Sequence, residues 1–229
     1  MPDIDIESTF GPRIEKIFSD ASLTEYSYYA VPKSIKTQAL LFIGLNPSSS
    51  QEDRKEFYDS HATKHSYFAK FPTLAPEGLP WTHIDLLFVR QTSQSAMKAM
   101  WENPKSPAEK KFLRDQLELS KCMIEMARPR IIVVCNTLAR DMMKKDEEET
   151  QQQKKDDEEE IFDFPFAFDD DIGTYKIGEH PKLGGVPVFF TSMLTGQRAL
   201  DNGSFKRLEW HIKWVHSKLK NGAIRASEK

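Results

Sequence analysis

Cysteine is nearly absent. Cys122 and Cys135 are the only two in 229 residues, and they form no C-x-x-C and supply no zinc set. A disulfide scaffold and a cysteine-built metal centre are therefore excluded, and two reduced thiols in an intracellular, cytoplasmic protein are expected. No apolar run approaches the roughly 20 residues that span a bilayer, so no membrane partner is expected. The opening MPDIDIESTF is acidic and polar, unlike a signal peptide. The loops that follow the apolar runs also lack a glycine-rich phosphate loop, a Ser-His-Asp set and a carboxylate cluster. Acyl transfer, metal-assisted hydrolysis and nucleoside-triphosphate hydrolysis are poorly supported, and neither a metal nor an organic cofactor is expected.

What is present suits one domain with a sizeable core: 39% hydrophobic and 29% charged residues in a chain of this length. The formal net charge of −3 is unevenly spread. Between Lys144 and Asp171 lie 13 acidic and 4 basic residues, which leaves 28 basic and 22 acidic residues elsewhere. Residues 1–229 are thus expected to form a single α/β domain with an acidic low-complexity insertion at 144–171. Without the insertion the body is mildly basic, which permits an anionic partner. KKDEEETQQQKKDDEEE cannot bury apolar surface; it extends a helix, stays disordered or engages a protein partner.

Four short apolar runs read as buried strands: Ala39–Leu45, His83–Val89, Arg130–Cys135 and Val186–Thr191. They are nearly continuous rather than alternating, as in a parallel sheet covered on both faces. Helical patterns lie between and after them. Ser106-Pro107-Ala108-Glu109 has the form of a capping box with proline at the first helical position, and this helix should stop before Pro129. Phe205, Leu208, Ile212, Val215 and Leu219 form the stripe of a last, basic helix, with Asn202 or Ser204 as its cap. The expected fold is a three-layer α/β/α domain with a central four-stranded, mainly parallel sheet.

Ligands of such sheets bind at the carboxyl ends of the strands. There the sequence offers Asn46, Pro47 and Ser48 after the first strand, and Arg90 and Gln91 after the second. Asn136 follows the third, and Met193 to Arg198 follow the fourth. The first of these loops, Gly44-Leu45-Asn46-Pro47, together with the four-strand order, a T-G loop (Thr195-Gly196) and a basic last helix, resembles the uracil-DNA glycosylase superfamily over roughly residues 39–219.

That resemblance implies hydrolysis of the N-glycosidic bond of a damaged or mismatched base flipped out of a nucleic acid, DNA before RNA. Asn46 would orient the attacking water with the Pro47 carbonyl, and Gly44 and Ser48 would line the same loop. An asparagine cannot take a proton as a carboxylate can, so the site would be slow; alternatively Asn46 only caps the turn. Met193-Leu194-Thr195-Gly196 stands where the family carries His-Pro-Ser-Pro or Asn-Pro-Ser-Gly. A thioether cannot donate to the leaving base, and Gln197 or Arg198 is the candidate substitute. Thr195, Gly196, Arg198 and Lys206 would hold phosphate.

At the end of the second strand, where the family reads the base edge, the sequence puts Phe88, with Arg90 and Gln91 just beyond. From the long 51–80 loop, Phe57 or Phe68 would stack on the base. His61 and His65 are four apart, too few for a metal site. Three alternatives stay open. One is a non-catalytic nucleic-acid or nucleotide-binding member of the superfamily. Another is an interaction protein working through its acidic segment. The third is hydrolysis of a free nucleoside or nucleotide.

Overall fold

The computed structural model describes residues 3–19, 23, 26–48, 54–63, 65–143, 161–196 and 199–220. The acidic stretch 144–160, and with it Gln197 and Arg198, lies outside the described residues. In chain order the elements are β1 (Asp3–Asp5), α1 (Ile6–Ile17), β2 (Ala30–Pro32), β3 (Ser34–Lys36), β4 (Leu40–Gly44) and β5 (Glu56–Tyr58). A 3₁₀ turn (Phe68–Lys70) runs into α2 (Phe71–Leu74), followed by β6 (Trp81–Asp85), α3 (Gln94–Glu102), α4 (Pro107–Ala127) and β7 (Ile131–Val134). Then come α5 (Thr137–Met143), β8 (Phe166–Asp169), β9 (Thr174–Ile177), β10 (Pro187–Phe190) and α6 (Asn202–Lys220).

The fold is α/β, built on a mixed six-stranded sheet in the order β6-β4-β7-β10-β9-β8. The first four strands of that order are mutually parallel; β9 adds antiparallel to β10, and β8 antiparallel to β9. The sheet is therefore larger than the four strands expected from the apolar runs. Its two extra strands are short polar-aromatic segments, FAFD and TYKI, the first with no buried residue and the second buried only at its ends, and they lack the apolar continuity of the central strands. Within residues 161–171, the aromatic IFDFPFAF stretch docks onto the body: it supplies β8 and buries Phe162 and Phe164 in the core.

Successive residues of the central strands feed two clusters. Leu41, Ile43, Ile84, Ile132 and Val134 join side chains of α1, α3, α4 and α5. Leu40, Phe42, Ile131, Val133 and Cys135 join Phe71 and Leu74 of α2 and Ile212 and Val215 of α6. Burial on both faces explains the continuous apolar runs.

Helix ends follow local chemistry. Ser106 caps α4 by accepting from the Glu109 backbone N–H at 3.1 Å, and the helix stops at Ala127, with Arg128 left-handed at φ 43°. The cap of α6 is Asp201, which accepts from the Ser204 N–H at 2.9 Å, rather than Asn202 or Ser204.

The second central strand departs most from expectation. It occupies Trp81–Asp85, not 83–89. Leu86 and Leu87 still donate to the Gly44 and Leu45 carbonyls, but Phe88 and Val89 leave the ladder while staying buried. Their N–H groups are met by a side chain: Gln116 Oε1, from fully buried Gln116 on α4, accepts both at 2.8 and 3.1 Å. Gln116 Nε2 donates to the Phe112 carbonyl at 3.0 Å. Replacing Gln116 with leucine strands two buried donors, each costing about 1–3 kcal/mol. Gln116→Leu is expected to lower the urea-unfolding free energy by roughly 2–4 kcal/mol; an unchanged midpoint would show that the 88–91 turn finds its partners elsewhere.

Candidate functional site at the carboxyl edge of the parallel strands

Two loops close over this edge. Gln94, at the start of α3, donates through Nε2 to Met193 Sδ at 3.6 Å. These residues follow β6 and β10, which are separated in the sheet by β4 and β7. At about 4.8 Å per strand, their contact bridges the ends of the two central strands.

Asn46 sits half-buried two residues beyond β4. Its Nδ2 donates to the Gln91 carbonyl at 2.7 Å, the Pro47 carbonyl at 3.0 Å and, more weakly, the Val89 carbonyl at 3.3 Å. Three carbonyls around one terminal atom identify it as the amide nitrogen. The other terminal atom, Oδ1, accepts nothing from the described residues. Asn46 thus ties the first loop to the second and keeps one acceptor unspent. The Pro47 carbonyl also accepts from the Gln91 N–H at 3.0 Å, so both its lone pairs are engaged.

Below this lies a polar constellation in the interior. Gly44 is in register with Asp85 on the neighbouring strand. A Cβ on Gly44 would stand 2.0 Å from Asp85 Oδ1, so glycine is what lets the carboxylate lie over the β4 backbone. Asp85 is 7% exposed and receives no hydrogen bond from any described residue. Its neighbour His83, 1% exposed, brings Nε2 to 3.5 Å from Asp85 Oδ1. That is an ion-pair distance without hydrogen-bond geometry, and His83 Nε2 is an unpartnered buried atom. On the other side of the ring, Nδ1 lies 3.3 Å from the Tyr58 hydroxyl. Tyr58 and His83 Nδ1 thus share one hydrogen bond, which leaves Nε2 on the side of the carboxylate.

Aromatic rings roof this constellation. Phe68 lies edge-on to His83 at 5.1 Å, and Tyr67 and Phe71 are also in ring contact with it. The Cys135 thiol donates to the Val133 carbonyl at 3.5 Å. Burial, then the charge of Asp85, pushes the Tyr58 hydroxyl well above the ordinary tyrosine range. Burial, then Cys135 and Asp85, does the same to Tyr67. Burial likewise raises the Cys135 thiol, against the opposing hydrogen bond from Tyr67.

A pH dependence follows. These groups keep their protons when folded and lose them at ordinary values when unfolded, about pH 8.5 for cysteine and 10 for tyrosine. Above pH 9 the folded chain binds more protons than the unfolded one, so stability falls as pH rises. Stability is expected to be flat in this respect below pH 8. It should then fall progressively as pH rises past about 9, because the folded chain holds protons that the unfolded chain has released. Urea midpoints from pH 7 to 11 check this; a flat profile would mean that the three groups ionise freely in the fold.

The remaining candidates from the sequence separate clearly. Phe68 faces the constellation, whereas Phe57 packs against Tyr29 in the opposite core. Arg90 is bound to Glu56 and donates to the backbone carbonyls of Tyr29, Arg54 and Ser48, so its guanidinium braces the loops. Gln91 caps Ser93 through Oε1. Phe88 is core. Thr195 is half-buried, Gly196 turns the loop at φ +90°, and Lys206 is exposed in the first turn of α6.

Sequence reasoning missed Asp85, His83, Tyr58, Tyr67 and Gln94. The signal available was a histidine and an aspartate inside WTHID, directly before an apolar run. Elsewhere, Glu125, Asp163 and His180 bring ligand-type atoms within 4.8 Å of one another. Lys182 and Lys121 neutralise the two carboxylates at 2.6 Å each, and His180 Nδ1 already accepts two backbone N–H groups. A cleft of about 400 Å³ between α1 and α4, lined by Arg13, Lys16, Phe112 and Asp115, shares no residue with the carboxyl edge. No helix among the described residues is long and apolar enough to cross a membrane.

No family model and no curated protein matches this chain.

Proposed function

We propose that the chain is a uracil-DNA glycosylase-like hydrolase of the three-layer α/β/α type that cleaves the N-glycosidic bond of a damaged or mismatched base in DNA. The observation that carries this is Asn46: its nitrogen is fixed by three carbonyls while Oδ1 stays unspent at the carboxyl edge of the parallel strands. An immobilised acceptor there suits a water aimed at C1′ of a sugar. The strand order β6-β4-β7-β10, with Asn46 beyond the first of these strands in sequence, also fits.

In the reaction, water adds its oxygen to C1′, the C1′–N bond breaks, and the base leaves with the bonding pair and takes up a proton. Asn46 Oδ1 orients the water without the Pro47 carbonyl, which is fully engaged. Phe68 stacks on the base. Gln94, whose amide reaches Met193, supplies the N–H that the thioether cannot. Thr195, Gly196 and Lys206 contact phosphate. The hydrolysis draws on no metal or organic cofactor.

The test is base release from single- and double-stranded oligonucleotides carrying uracil, hypoxanthine, xanthine or mismatches, at high protein concentration and low salt. Release abolished in Asn46→Ala supports the hydrolase; equal release by wild type and variant overturns it. The thioether of Met193 favours a second reading, a non-catalytic nucleic-acid binder, which salt-sensitive binding without release would support.

A further inference from the structure

Resting on the hydrolase proposed above, we infer that Asp85 is the residue that reads the base, and that it selects an edge carrying two adjacent N–H donors. That is the edge of guanine-type bases, a ring N–H beside an exocyclic amine, rather than the donor–acceptor edge of uracil.

The inference starts from an imbalance. A nearly buried carboxylate is costly unless donors reach it. Asp85 lies at the end of β6 with no donor from the described residues and only the His83 ring beside it. Its position is built: Gly44 has no Cβ to displace it, and His83, backed by the Tyr58 hydroxyl, flanks Oδ1. A carboxylate offers acceptors only. It can take both hydrogens of a guanine-type edge, whereas hypoxanthine offers it only the ring N–H, and uracil flanks its ring N–H with a carbonyl oxygen on each side, which the carboxylate repels. Its charge also opposes departure of a pyrimidine as an anion. His83 is a positioning residue, its buried ring flanking the carboxylate at 3.5 Å.

Equilibrium binding of deoxyguanosine, deoxyinosine and deoxyuridine to the full chain tests this, alongside the base-release panel extended to guanine mispairs. Deoxyguanosine is expected to bind about 10-fold or more tighter than deoxyinosine, which lacks one donor, because an acceptor built for that donor is then left unpaired. In Asp85→Asn the order should reverse, since an amide offers one donor and one acceptor. Should Asp85→Asn fail a thermal-melt check, Asp85→Ala takes its place and is expected to abolish the preference. An unchanged order in the folded variant, a wild-type preference for deoxyuridine, or no nucleoside binding overturns the inference. Uracil release insensitive to residue 85 would leave the hydrolase standing and remove the inference. A reversible deoxyguanosine preference without base release would do the opposite.

Discussion

Asn46→Ala is expected to lose at least a hundredfold in base release and, unlike an ordinary change at a catalytic residue, to lose stability as well. The two losses come from opposite ends of one amide. Oδ1 would hold the water, and misplacing a reactant costs on the order of 10² in rate. Nδ2 holds the carbonyls of Pro47, Val89 and Gln91. Its removal leaves them to relax or hydrate, at about 1 kcal/mol for each good hydrogen bond, so urea unfolding should shift by roughly 2–3 kcal/mol.

Asn46→Asp separates the two ends. Solution chemistry says a carboxylate is the better base. In this loop it would set a negative oxygen against three carbonyl oxygens, so the variant should be less stable than Asn46→Ala. An Asn46→Asp protein as stable as wild type would mean that the amide is not oriented as described. Faster release by that variant would place the water on the other oxygen.

The four parallel strands were legible because burial on both faces writes itself as continuous apolar residues. The capping of α4 was legible because it depends on four adjacent residues. What failed needed contacts across the fold. LLFV after Asp85 reads as strand, yet its last two residues are buried against the side chain of Gln116, 27 and 28 residues away in sequence. Extending the strand to Val89 moved its apparent end from Asp85 to Phe88 and hid the carboxylate. β8 and β9 were missed because both are largely half-exposed or exposed and β8 follows a run of charge. Asn46 was visible by its place after an apolar run. Nothing in the sequence says that Gly44 lies opposite Asp85, which is a fact of register.

That register makes the sharpest test of the site as a built object. Gly44→Ala puts a methyl 2.0 Å from Asp85 Oδ1 and 3.3 Å from His83 Nε2. The backbone of a central strand cannot yield cheaply, so the carboxylate must swing away from its place beside His83. Overpacking of this kind costs about 1–3 kcal/mol, which for a chain of this size is a melting-temperature drop of roughly 3–10 °C. Binding or turnover that depends on Asp85 should vanish with it. The same loss would follow from general damage to β4, so the decisive measurement is the double-mutant cycle. Asp85→Ala removes the atoms the methyl strikes. Gly44→Ala should therefore cost at least 1 kcal/mol less in the Asp85→Ala background than in wild type. Equal cost in both backgrounds would locate the strain in the strand itself and take away the structural reason for glycine at this position.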